Sequence, residues 1–150
     1  MKPTRSHCFT ACIHSVKEKK AVLHSELAAL AEGVESESKS TAGDKHETGR
    51  AMLNIEQDRL ARQLTALDEQ EAALQRLQQT GGGPLIAAGS LIETDRGWFF
   101  LSTALGRITV NGVSVMTLSP ESPLGAEWLG LAAGASSTFN GISYAIVSVE

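Results

Sequence analysis

The sequence predicts an α+β protein, an N-terminal antiparallel helical coiled-coil hairpin followed by a small antiparallel β domain with one short helix. Three observations predict it. Apolar residues recur at spacings of three and four through the first half of the 150-residue chain. That pattern stops at Gly81-Gly82-Gly83-Pro84. Beyond it the apolar period falls to two, and Asn-Gly pairs mark tight turns.

The first arm is read from Ile13, Val16, Leu23, Leu27, Leu30 and Val34, with Lys20 in the one vacant place of the heptad frame. Lys17, Glu18, Glu26 and Glu32 fill the polar positions between them, as an exposed helix surface requires. After Val34 the pattern decays through small polar residues to Gly43, so the first helix ends in that stretch. A second helical pattern runs from near Asp44 to about Gln79, with Leu53, Leu60, Leu67 and Leu74 one heptad apart and Leu64 and Leu77 beside them. Two seams of similar length joined by a short turn pack antiparallel, each arm rising roughly 45 Å at ~1.5 Å per residue. Residues 1–80 thus form a hairpin with its tip near 43–47, residues 81–83 a linker, and residues 84–150 the second domain. The linker stops the helix because glycine disfavours it and Pro84 cannot continue its hydrogen-bond ladder.

In the second domain, Leu91–Thr94, Trp98–Leu101, Ile108 with Val110, and Val113 with Val115 are the expected strands. Asp95-Arg96-Gly97, Asn111-Gly112 and Asn140-Gly141 are the expected turns, which implies antiparallel pairing. Ser122–Leu129 reads as a short helix, with Pro123 in its first turn and Gly130 past its end. The closing strand, Ile142 to Val149, alternates apolar residues on both sides and is expected to be buried on both faces.

The net charge of -4 and pI near 5.6 leave no basic field to gather nucleic acid. The apolar part of the N-terminus, Cys8 to Ile13, runs at once into Lys17-Glu18-Lys19-Lys20, too short and too soon charged for a signal peptide or a membrane span, so a cytoplasmic chain without a membrane partner is expected. Two cysteines near the start are read as reduced thiols. His7, Cys8, Cys12 and His14 supply zinc-type ligands, but their spacing matches no common zinc module, and a frayed N-terminus is the simpler reading. Trp98, Phe99, Phe100, Trp128, Phe139 and Tyr144 are read as core rather than as a ligand pocket.

At the tip, Asp44 and Glu47 place two carboxylates three residues apart where the arm turns back. Asp followed three residues later by Glu is a capping-box-like arrangement that satisfies free N–H groups at a helix start. The same pair offers oxygen ligands to Mg²⁺ while leaving most of its coordination sphere open.

Gly43-Asp44-Lys45-His46-Glu47 at the tip, followed by Leu118-Ser119-Pro120-Glu121-Ser122-Pro123-Leu124-Gly125 in the β half, resembles the Gre-type transcript cleavage factors of bacteria over about residues 16–149. The resemblance implies an FKBP-like C-terminal domain that grips the rim of the secondary channel of bacterial RNA polymerase, through Ser119, Pro120, Ser122, Pro123 and Leu124, while the hairpin enters the channel. It implies that Asp44 and Glu47 are the catalytic and metal-holding pair, completing a Mg²⁺ site shared with the polymerase when backtracked RNA is cut. The chain would then need no cofactor of its own, act as a monomer, meet nascent RNA only inside the polymerase complex, and stimulate the polymerase's nuclease activity rather than act as an enzyme alone.

This chain departs from the family's pattern at Thr48-Gly49-Arg50, at Leu131 and at Ser136. The alternative reading is therefore a regulator or inhibitor that occupies the same channel without promoting cleavage. A third is a stand-alone FKBP-like prolyl isomerase whose hairpin only dimerises.

Overall fold

The computed structural model describes residues 2–39 and 44–150, with the side chains of residues 34–47 outside that description. The two long helices are α1, Arg5–Lys39, and α2, Asp44–Gln78. They are followed by strands β1 (Leu91–Thr94), β2 (Gly97–Leu101), β3 (Arg107–Val110) and β4 (Val113–Leu118), the short helix α3 (Pro123–Trp128), and strands β5 (Ser136–Phe139) and β6 (Ile142–Val149). No helix among the described residues is long and apolar enough to cross a membrane. The chain separates into two compact units, Val16–Gln70 and Met1–Ser15 with Glu71–Glu150.

The unit Val16–Gln70 is the arm. Its seam is the one the heptads predict: Val16, Leu60 and Leu64 are buried, and Leu23, Leu27, Leu30, Leu53 and Leu67 are half-buried. The helices run antiparallel, since Lys20 Nζ meets Asp68 Oδ1 at 2.6 Å near one end and Gly33 lies against the Leu53 methyls near the other. Lys20, the polar interruption of the heptad pattern, thus lays its aliphatic stem in the seam and carries its charge to the opposite helix. Two helices alone cannot enclose a core, so half-burial is the most that most seam residues reach.

The other unit is built on a six-stranded sheet of order β3-β4-β2-β1-β6-β5. Asn111 (φ 52°) and Asn140 (φ 49°) take the positive φ of tight hairpin turns, making the β3–β4 and β5–β6 pairs that the Asn-Gly signals predict. The expected all-antiparallel sheet is corrected to a mixed one, because β2 pairs β4 in parallel, Trp98 opposite Val115 through Leu101 opposite Leu118. The loop after β2 carries the chain to the edge, where β3 lies outermost and β4 folds back beside β2. Buried Thr117 pins that loop: its hydroxyl donates to Gly106 O at 2.6 Å and accepts from Leu105 N at 2.8 Å. Strand β5, rich in Ser and Thr, carries too weak an apolar signal to be read from sequence.

The expectation that β6 is buried on both faces is also corrected. Only Ile146 is buried, and Val147 is 53% exposed. One face of the sheet packs under α3, with Ile92, Leu101 and Ile146 around Trp128 and with Phe99 and Tyr144 at the margin. Phe99, Trp128 and Tyr144 meet edge to face at centroid separations of 4.9 to 5.9 Å. Phe100, one residue on in β2, points to the opposite face, where Phe9 of α1 stacks edge-on at 4.9 Å.

That contact overturns the reading of a frayed N-terminus. Cys8, Phe9 and Cys12 are fully buried. Their spacing of three and four continues the seam of α1 more than a turn earlier than its Ile and Val residues suggest. The start of α1 is therefore a core element of the sheet unit.

Candidate functional site

The tip pair is placed by α2. The helix begins at Asp44, so Asp44 and Glu47 occupy its first turn, three positions apart and on one face of the helix. Carboxylates there are favoured by the positive end of the helix dipole, whatever else they do. Gly43 and the other residues of 40–43, where the sequence places the turn, lie outside the described residues, as do the side chains of Asp44 and Glu47. Gly49 sits inside α2, where glycine costs about 1 kcal/mol relative to alanine.

The loop before α3 is held by its own serines. Ser122 is the N-cap of α3, accepting from Gly125 N at 3.1 Å and donating to Ser119 O at 2.6 Å. Ser119 Oγ in turn accepts from Glu121 N at 3.1 Å. Gly125 is required by close approach rather than by backbone freedom: a Cβ there would run into the Ser119 carbonyl and stand 2.9 Å from Ser122 Oγ and 3.0 Å from a Leu101 methyl. Leu124 packs at the margin of the Trp128 cluster. The motif residues therefore divide: Ser119, Ser122, Leu124 and Gly125 shape the loop, while Glu121 and Pro123 are exposed and Pro120 half-exposed.

A third constellation, absent from the motif reading, anchors the start of α1. Arg5 donates from Nε to Gly89 O at 2.8 Å and from Nη2 to Leu77 O at 2.9 Å and Thr80 O at 2.8 Å, and its guanidinium lies 4.8 Å from the centre of the Phe9 ring. Gly89, at φ 92°, allows this approach, since a side chain there would stand 3.2 Å from the Arg5 Nη2 and 3.5 Å from Phe9. His7 Nδ1 shares a hydrogen bond with the Asn111 amide at 3.1 Å, and that amide also donates to Lys2 O at 3.1 Å. One residue thus ties the first arm, the end of the second arm and the loop before β1. Arginine can do this because its planar fork offers five donors. In sequence it is a basic residue near the N-terminus, beside Lys2, with no pattern to mark it.

The His7, Cys8, Cys12 and His14 cluster is dispersed by these contacts. His7 turns to Asn111, His14 is exposed, and the two thiols are buried. Burial pushes Cys8 up to about 12, with Cys12 and Glu150 adding to it, and pushes Cys12 up to about 11. A thiolate, the form that binds metal or attacks an electrophile, is thereby disfavoured at both. Among the described residues no group of three or more His, Cys, Asp or Glu side chains is arranged to hold a metal ion.

No protein-family model matches the chain, and no curated protein matches it. Among solved structures it is similar to one described as the structure of the transcription factor Gfh1, at 16% identity over 93% of this chain and 93% of that one, with a TM-score of 0.38. No residue role follows from a likeness at that level.

Proposed function

We propose that this chain is an accessory factor of bacterial RNA polymerase, whose arm enters the polymerase secondary channel and whose tip promotes cleavage of backtracked RNA. The observation that carries the reading is the position of the acidic pair. Asp44 and Glu47 fall in the first turn of α2, at the turn end of an arm whose first helix alone rises ~36 Å from Val16 to Lys39. An arm of that length carrying two carboxylates is suited to delivering negative charge into a deep pore.

The chemistry asked of the tip is small. Mg²⁺ shared with the polymerase would neutralise charge on the scissile phosphate and acidify a bound water. Asp44 and Glu47 supply hard oxygen ligands of the kind that ion takes, and they orient the attacking water. The polymerase provides the remaining ligands and the RNA, so two carboxylates complete a site they do not build. In the sheet unit, the loop Ser119–Gly125 presents Pro120, Glu121 and Pro123 for docking, with Ser119, Ser122 and Leu124 fixing its shape from beneath.

The test is a stalled, backtracked elongation complex. Asp44→Ala and Glu47→Ala are each expected to lower the rate of RNA shortening by about 100-fold, the scale for loss of a group that positions a reacting water, while polymerase binding is unchanged. Shortening at the wild-type rate by both variants would sink the proposal. The second reading, a channel-binding inhibitor, is favoured by Thr48-Gly49-Arg50, where Gly49 weakens the helix directly behind the acidic pair. It predicts slowed RNA synthesis with no new short products.

A further inference from the structure

The arm carries an apolar groove along one side that the hairpin does not fill. The groove has two lobes of about 460 and 320 Å³. On α1 the first lobe is lined by Lys19, Val22 and Leu23, the second by Glu26, Ala29 and Leu30. Each residue of the second set is one heptad on from its counterpart in the first. On α2 the same shift relates Gln63 and Leu67 of the first lobe to Glu56 and Leu60 of the second. The lobes are therefore two repeats of one groove, roughly 10 Å apart at ~1.5 Å per residue. A groove that repeats every heptad is shaped for a helix, whose side chains return at the same interval.

Its walls are suited to close approach. Val22 is 57% exposed although it lies in the groove, and Ala29 and Ala66 put no bulk in the way.

Charge selects the occupant. The lobe nearer the sheet unit in sequence carries Lys19, while the neighbouring Lys20 and Asp68 neutralise each other. The other lobe carries Glu26 and Glu56 with Arg59, which donates from Nε to both Glu56 carboxylate oxygens, leaving one negative charge in excess. One end of the groove is thus positive and the other negative. A two-fold axis through its midpoint lays the Lys19 end of one arm over the Glu56 end of another, twice. Stacking the arms in parallel sets like charge on like.

We propose that a second copy of this chain docks in the groove, the two arms forming an antiparallel four-helix bundle with Lys19 of each over the acidic lobe of the other. Such an interface is isologous and closes at two copies. It rests on the arm alone and asks nothing of Asp44, Glu47 or the loop before α3, and it concerns the free protein, because an arm packed in a bundle has to separate before it enters a channel.

The experiment is sedimentation equilibrium on the full chain without polymerase. A monomer–dimer equilibrium is expected. Val22→Glu, an exposed change that leaves the seam intact, should weaken it by more than tenfold, roughly the effect of burying an unpaired charge at an interface. Lys19→Glu alone, and Glu26→Lys with Glu56→Lys, should each weaken self-association by about tenfold through like-charge repulsion at both ends. Mixing those two variants should restore dimers as a heterodimer, which a general loss of folding would not allow, and circular dichroism should show unchanged helix in all. A chain that stays monomeric at its solubility limit overturns the proposal. So does a dimer indifferent to Val22→Glu, or a charge-swapped mixture that fails to associate.

Discussion

The two long helices are held in different ways along their length. From residue 16 to residue 70 they form a unit of two helices, and Val16, Leu60 and Leu64 are the buried apolar side chains there among the described residues. At their other ends, residues 5–15 and 71–78 belong to the sheet unit, where Cys8, Phe9, Cys12 and Leu74 are completely buried and Arg5 donates backbone hydrogen bonds to Leu77 in the last turn of α2 and to Thr80 and Gly89 beyond it. The same heptad periodicity runs through both regions. What differs is the number of layers around it. A seam between two helices buries a stripe, whereas a helix end laid on a sheet buries a face. The comparison teaches that a repeating apolar pattern reports which side of a helix is covered and says little about how deeply.

The largest effect should separate the regions most sharply. Phe9→Ala removes a fully buried ring stacked on Phe100 and is expected to cost about 4 kcal/mol, within the range for buried aromatics. Leu60→Ala, although Leu60 is only 1% exposed, leaves a cavity at a thin seam into which neighbours and water can move, and should cost about 2 kcal/mol. Denaturant melts of the two variants check the order. Equal losses would break the distinction drawn here.

Next is the response of the helix base to alkali. Cys8 and Cys12 have folded pKa values of about 12 and about 11, raised above 9.0 by burial. Below pH ~9 both thiols are protonated in the folded and unfolded states, so their contribution to stability is fully present. Between pH ~9 and the folded values the unfolded chain releases protons that the folded chain retains, and stability falls. The measurement is the slope of unfolding free energy against pH from 8 to 11, which a Cys8→Ala, Cys12→Ala variant should flatten. Both native thiols should also resist a thiol-specific dye at pH 8 until denaturant is added, as buried neutral thiols do. Rapid labelling of the native chain would contradict the packing.

The smallest effect concerns the loop before α3. Ser122→Ala removes the N-cap of α3 and should cost about 1 kcal/mol. If the polymerase reading holds, the same variant should weaken polymerase binding through loop shape, with the tip's cleavage function intact once bound. A stability loss with unchanged binding would reduce the serine to a purely local role.

Much of the architecture was legible in the residues because local physics carried it. The Leu heptads, the glycine run at 81–83 and the two Asn-Gly turns each act over a few positions, and each marks the element it predicts. The short helix was readable from Ser122, Pro123 and Gly130 for the same reason, and it spans Pro123–Trp128. Strand β5 was not readable, because a Ser- and Thr-rich edge strand takes its structure from backbone pairing with β6 rather than from an apolar pattern. Of the candidate site, the first-turn position of Asp44 and Glu47 follows from sequence. The division of Ser119–Gly125 into inward and outward residues does not, since it depends on which carbonyl each hydroxyl reaches.

By itself the sequence determined where helices and turns lie, which side of each long helix is apolar, and the spacing of the acidic pair, because those depend on periodicity and on the φ preferences of Gly, Pro and Asn. Tertiary structure alone decided that β4 runs parallel to β2, that Val147 of the closing strand faces solvent, that Phe9 and the two cysteines are core, and that Arg5 anchors them. Those outcomes turn on contacts between residues far apart in the chain, such as Arg5 with Gly89 and Phe9 with Phe100. No local pattern encodes a partner some ninety positions away.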